Sequence, residues 1–192
     1  EPATPADAKG LLLSAIRDPD PVVFFEPKRI YRSFREAVPE GDHEVPIGEA
    51  AVRREGSDVT LIAWGSMLHY VLEAAENHVP PGVDVEVVDL RSISPLDRDT
   101  IVESVKKTGR AVVVHEAPRS GGFAGEIIAT INEEPARLIG MQRCFWATSF
   151  GINSITSSSI SNSLRLIEGT WYCLLRKLVS SVSSIYPSLV RL

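Results

Sequence analysis

"VEVVDLRSISPLDRDTIVESVKKTGRAVVVHEAPRSGGFAGE", Val85 to Glu126, decides the fold of this chain. Two nearly unbroken apolar runs, Val83–Leu90 and Ala111–Val114, flank a segment in which Ile101, Val102 and Val105 share one helical face. Ser94-Pro95-Leu96-Asp97 reads as the start of that helix, and Gly109 is placed to end it. A further helix follows over residues 122–133, with Phe123, Ile127 and Ile131 spaced at four. Strands without polar alternation, joined through helices, belong to a parallel sheet covered on both faces.

Upstream the pattern continues. Ala51–Arg54, the turn residues Glu55-Gly56-Ser57-Asp58, and Val59–Trp64 read as a hairpin that supplies an antiparallel edge strand. Ser66 is placed to cap a helix carrying Leu68, Val71, Leu72 and Ala75 on one face. The expected unit is therefore α/β: a three-layer α/β/α domain with a mixed, mostly parallel sheet and an antiparallel edge. Before it, Thr4-Pro5-Ala6-Asp7 opens a helix that ends near Asp18, because Pro19 and Pro21 cannot continue it. Val22–Phe25 reads as a short buried strand, and the polar stretch 33–46 as a linker.

Composition bounds what such a chain does. Its 192 residues are 44% hydrophobic and 23% charged, enough for a disulfide-free core. Cys144 and Cys173 have no metal-ligand spacing. Residues 1–134 hold 14 Lys+Arg against 24 Asp+Glu, a net of −10, which argues against a nucleic-acid partner. Residues 135–192 hold 6 Lys+Arg and one acid, Glu168, and lose all clean periodicity. Arg165, Glu168, Arg176 and Lys177 interrupt any membrane span there. The opening EPATPADAK has neither an initiator methionine nor a secretory leader, so a fragment or processed chain is expected.

Several residues carry possible chemistry. The glycines of "HEAPRSGGFAGE" lack the Lys-Ser/Thr of a P-loop and the spacing of a dinucleotide fingerprint, so Gly121 and Gly122 read as a tight turn into a helix. His115 falls at the carboxyl end of a strand, where α/β ligands bind. No serine or cysteine nucleophile accompanies it, and it reads as a hydrogen-bonded structural residue, with Glu116 able to orient the ring. Asp89 and Arg91 read either as an ion pair fixing a loop or as a subunit-contact loop. Asp18 and Asp20 read either as a solvated turn or as oxygen ligands for a hard cation at a helix carboxyl end.

The blocks "TPADAKGLLLSAIRDPDPVVFFEPKRIYR", "VPIGEAAVRREGSDVTLIAWG", "VEVVDLRSISPLDRDTIVESVKKTGR" and "VVVHEAPRSGGFAGEI" closely resemble the beta subunits of thiamine-diphosphate-dependent 2-oxoacid dehydrogenases of the pyruvate, branched-chain and acetoin type. The resemblance covers about residues 2–134. It implies that residues 1–32 end a pyrimidine-binding domain, that 33–46 is a linker, and that 47–134 form a transketolase C-terminal-like domain with a five-stranded mixed sheet. It also implies decarboxylation of a 2-oxoacid and acyl transfer to a lipoyl group, with thiamine diphosphate and Mg held mostly by residues outside this chain. The catalytic glutamate and histidine of the family have no counterpart here, so no catalytic and no cofactor-binding residue is expected.

A potassium site is implied for Ala15, through its carbonyl, with Asp18 and Asp20. The implied partners are an alpha subunit, a second beta subunit and a lipoyl acyltransferase, without nucleic acid or membrane. The implied compartment is the cytoplasm, or the mitochondrial matrix in a eukaryote. The resemblance stops at Glu134; residues 135–192 are expected to be an atypical tail, frameshifted or disordered, with no strand to complete the sheet and acyltransferase docking in doubt. A non-catalytic subunit-docking module of the same fold is the competing expectation.

Overall fold

The computed structural model describes residues 1–118, 120–133, 143–148 and 151–155. In chain order the elements are α1 (Pro5–Arg17), a 3-10 turn (Lys28–Ile30), β1 (Ala51–Arg54), β2 (Val59–Ala63), α2 (Ser66–Asn77), β3 (Val85–Asp89), α3 (Arg98–Thr108), β4 (Arg110–His115), α4 (Ala124–Asn132), β5 (Arg143–Thr148) and β6 (Gly151–Ile155). The sheet order is β1-β3-β2-β4-β5-β6. Strands β3, β2, β4 and β5 run parallel, while β1 and β6 are antiparallel edges.

The period of two along each strand sorts side chains between two cores. Val59, Leu61 and Ala63 of β2, Val85 and Val87 of β3, and Val112 and Val114 of β4 face α2, where Met67, Leu68 and Val71 cover them. Ile62, Val88, Ala111 and Val113 point the other way, beneath Ile101 and Val105 of α3 and Ile127, Ile128 and Ile131 of α4. This is the three-layer α/β/α arrangement, with helices on both faces.

Local chemistry sets most boundaries. Thr4 caps α1 by accepting the Asp7 N–H at 3.2 Å, with Pro5 in the first turn, where its missing donor is not needed. Gly109 closes α3 in the left-handed region at φ 67°, donating to the Val105 carbonyl at 2.8 Å. Two helix starts differ from expectation. α3 begins at Arg98 rather than near Ser94, because the Asp97 carboxylate, not the serine, accepts the Thr100 N–H at 3.0 Å. Asp97 also accepts the Ala50 N–H at 2.8 Å, tying the start of α3 to the chain entering β1. Burial would raise its pKa, but the bonds from Thr100 and Ala50 outweigh this and hold it below the usual value. Ser66 is the first residue of α2, not its cap; Gly65 holds the cap position without a side-chain bond.

Three further expectations are corrected. β1 and β2 form no hairpin: β1 pairs with β3, and β2 lies between β3 and β4. The fully buried VTLIA needs parallel neighbours on both sides, whereas the partly exposed AVRR suits an edge. The connection crosses the start of β3 at Gly56, where a Cβ would overlap the Val85–Glu86 peptide, 2.6 Å from the Val85 carbonyl oxygen. Val22–Phe25 forms no strand; Val23 and Phe25 are exposed, and no described strand pairs with them. The sheet also does not stop at β4, because Arg143–Thr148 pairs with it in parallel and Gly151–Ile155 turns back as the far edge. The short run Arg143–Thr148 lacks a repeated period, so its pairing was illegible. The rest of the expected tail lies outside the described residues.

The stretch 33–46 is irregular, yet it is fastened along α1. Lys9 Nζ donates to the carbonyls of Pro39 and Gly41 at 2.6 and 2.8 Å, and Ser14 Oγ donates to the Val45 carbonyl at 2.7 Å. Gly10 lets the strap close in: a Cβ there would lie 2.9 Å from the Val45 nitrogen. Arg17 adds ion pairs to Asp42 and Glu44.

Candidate functional site

The carboxyl ends of β2, β3 and β4 gather the polar groups of interest. Asp89, the last residue of β3, is fully buried, and Arg53 of β1 donates to its Oδ2 from Nε at 3.2 Å and from Nη2 at 2.8 Å. The same guanidinium bonds to Asp7 of α1, itself buried, and Arg91 Nη2 reaches the other Asp7 oxygen at 2.9 Å. The arginine-aspartate chain thus runs Asp89, Arg53, Asp7, Arg91. It corrects the expected Asp89–Arg91 ion pair: only the Arg91 backbone N–H touches Asp89, at 3.2 Å, while its side chain turns to α1. Arg91 stands at φ 55°, a left-handed conformation uncommon for a side chain of its size. Burial pushes the Asp89 carboxyl above its ordinary pKa, opposed by the Arg53 hydrogen bonds and charge and by the Arg91 N–H.

Sequence reasoning missed Arg53 and the burial of Asp7. Asp7 reads as an ordinary first-turn acid, and nothing local announces that it lies beneath a distant strand. The only sequence signal for Arg53 was an arginine pair on an otherwise apolar edge strand.

His115, the last residue of β4, is 2% exposed, and neither ring nitrogen has a hydrogen-bond partner among the described residues. The expected structural hydrogen bond is therefore not found among the described residues. Packing holds it instead. The Trp64 ring stacks against it at 5.6 Å and 28°, and Phe123 meets Trp64 edge-on at 6.1 Å. The glycines act as turn residues: Gly121 has φ 79°, and a Cβ on Gly122 would sit 2.6 Å from the His115 Cε1. Burial alone lowers the His115 pKa. Beside it lies an open hollow of about 550 Å³, lined by Ile93, Ser94, Leu96, Gly121–Phe123 and Glu126.

Asp18 terminates α1, and its Oδ1 accepts the Asp20 N–H at 2.9 Å. The carbonyls of the last turn, including that of Ala15, precede this turn. Asp18 is half-buried and Asp20 exposed. Among the described residues no group of three or more His, Cys, Asp or Glu side chains is arranged to hold a metal ion.

A mostly parallel sheet between two helical layers, closed by antiparallel edge strands and crossed by an ion-pair seam at its carboxyl end, defines a three-layer α/β domain. The chain belongs to the transketolase C-terminal domain family, whose signature covers residues 48–144. Over 135 residues it is 55% identical to the 2-oxoisovalerate dehydrogenase subunit beta, mitochondrial, of Dictyostelium discoideum, covering 69% of this chain and 36% of that one. Over 132 residues it is 54% identical to the pyruvate dehydrogenase E1 component subunit beta of Bacillus subtilis, covering 69% and 41%. A second mitochondrial 2-oxoisovalerate dehydrogenase beta subunit, from Arabidopsis thaliana, is 49% identical over 144 residues, covering 75% and 38%. The chain thus spans between 36% and 41% of the length of these curated relatives. Among solved structures, a split gene transketolase, described as an inactive beta4 tetramer, shares the fold at TM-score 0.50 and 24% identity, covering 77% of this chain and 45% of that one.

Proposed function

We propose that this chain is part of the beta subunit of a 2-oxoacid dehydrogenase decarboxylating component, and that it serves subunit assembly rather than bond-making. The observation that carries the reading is near-equal identity, 55% and 54%, to a branched-chain and a pyruvate-type beta subunit across the same share of the chain. In the whole enzyme, thiamine diphosphate would supply the carbanion for decarboxylation before acyl transfer to lipoyl. The hollow beside His115 does not fit that cofactor: its described lining offers one carboxylate and no cation for a diphosphate. What the described residues do is hold α1 against the sheet through Arg53 and Arg91. The alpha subunit, a second beta subunit and the acyltransferase are the partners this reading requires. The compartment is the cytoplasm, or the matrix in a eukaryote.

Grafting residues 1–133 over the matching region of the Bacillus subtilis beta subunit, co-expressed with its alpha subunit, tests this. An assembled complex that oxidises a 2-oxoacid within about tenfold of the parent is expected, a loss of under about 1.4 kcal/mol in transition-state stabilisation. A folded chimera that binds no alpha subunit defeats the reading.

The Ala15 carbonyl with Asp18 and Asp20 is proposed to hold potassium at the end of α1, where helix carbonyls favour a cation. Potassium should then raise the melting temperature more than sodium at equal ionic strength. At tenfold excess over the dissociation constant the gain is about 1.4 kcal/mol. An Asp18→Asn chain with an unchanged potassium response excludes the site.

A further inference from the structure

The pairing of charges within the chain leaves three cations over. Residues 1–134 hold 14 Lys+Arg. Of those described, all but three bond to a carboxylate or a carbonyl, or lie over an aromatic ring. The exceptions, Lys28, Arg32 and Arg35, are exposed, and none has such a partner among the described residues. All three fall within the segment 28–35, which contains no acid. Arg32 also lines an open hollow of about 610 Å³ between this segment and α1, walled by Leu12, Phe24, Ile30 and Phe34. We propose that the hollow and its cations dock an acidic segment with an apolar anchor residue, supplied by the alpha subunit. The choice of that subunit rests on the assembly reading above.

The segment is held in place by α2. Arg29 lies over the Tyr70 ring at 5.8 Å, and Phe34 tilts against the His69 ring at 4.4 Å. His69 is fastened in turn to the Ala3 carbonyl at 2.7 Å. The platform is thus built before any partner arrives. Glu26, the one carboxylate on the described lining of the hollow, is engaged by the Tyr31 hydroxyl and not by Arg32. Lys9, the other cation of the lining, is taken up by the carbonyls of Pro39 and Gly41. A region with a net charge of −10 has carboxylates in excess, yet none of those described reaches these three cations. That net charge repels a long polyanion, whereas a short acidic segment bonds arginine at close range. The apolar anchor follows from the walls. Leu12, Ile16, Val23 and Phe25 are exposed apolar surface around the hollow, of the kind that a protein interface desolvates. Arginine beside aromatic rings is the composition such interfaces favour. An apolar side chain in the hollow, with carboxylates on Arg32 and Arg35, meets both demands.

Titrating the chimera described above against fluorescently labelled Bacillus subtilis alpha subunit, read as anisotropy, tests the docking. Arg32→Glu and Leu12→Asp are each expected to raise the dissociation constant about tenfold, and the charge-matched Lys106→Glu less than about twofold. Raising NaCl from about 50 to about 300 mM should weaken the parent more than Arg32→Glu. Should Arg32→Glu fail to fold, Arg35→Glu repeats the measurement. A loss in the arginine variants no greater than in Lys106→Glu overturns the proposal and leaves the assembly reading standing. A parent chimera that binds no alpha subunit defeats both. Loss of binding to duplex DNA or to phosphatidylserine vesicles in Arg32→Glu, with alpha-subunit binding unchanged, assigns the cations elsewhere and also overturns it.

Discussion

Replacing Arg53 with alanine is expected to lower the stability of the chain by about 3 kcal/mol, because it strands buried carboxylates without their cation. Asp89 is fully buried and would keep only the Arg91 N–H, while Asp7 would keep the Arg91 guanidinium. Urea unfolding at constant m-value measures the loss. In a chain of this size it corresponds to a melting point lower by roughly 6–12 °C. Lysine should recover only part, since an ammonium cannot serve both carboxylates through a planar fork. The deficit should also depend on pH. Burial already raises the Asp89 pKa in the folded state, and removing Arg53 raises it further. A folded pKa above the unfolded one means stability is present at low pH and lost as pH rises through the folded value. The gap between Arg53→Ala and the parent should therefore be smaller at pH 4.5 than at pH 7.5. A gap that widens on acidification would show that Asp89 is not the stranded group.

Gly56→Ala is expected to cost about 3 kcal/mol, the upper end of the usual range for overpacking. The added methyl meets the Val85–Glu86 backbone, which cannot rotate away as a side chain would. The strain falls on the crossing between the edge strand and the centre of the sheet, so β1 should loosen first. Exchange in Ala51–Arg54 should accelerate more than exchange in β2. Equal acceleration across both strands, or a cost below 1 kcal/mol, would mean that the crossing relaxes. A true β1–β2 hairpin would tolerate alanine more easily, so the substitution also checks strand order.

Legibility in the sequence followed the range of the interactions. The parallel strands, the close of α3 at Gly109 and the end of α1 before Pro19 were readable because local periodicity and backbone chemistry dictate them. Strand order was not. "AVRREGSDVTLIAW" carries a plausible hairpin turn, and only β3, some thirty residues later, competes for β1. The strand expected at Val22–Phe25 failed for the converse reason: four apolar residues form a strand only where a neighbour offers backbone partners. The ion-pair chain was half legible. Asp89 and Arg91 stood out at a strand end, but their partners, Arg53 and Asp7, lie 36 and 84 positions away in the sequence from Asp89 and Arg91 respectively. His115 was placed correctly at the carboxyl end of its strand, but the close packing of the glycine turn on its ring is not something spacing encodes.

The strap along α1 has a mechanical consequence. Lys9, Ser14 and Arg17 hold the 39–45 stretch from one side, Arg53 and Arg91 hold Asp7 from the other, and Gly10 leaves no play between helix and strap. Torque applied to α1 is therefore delivered to the sheet without slack. The pivot falls beyond the helix, where Pro19 and Pro21 punctuate a chain exposed over residues 19–23. Between α1 and the sheet the polypeptide behaves as a splint; the joint lies at residues 19–23.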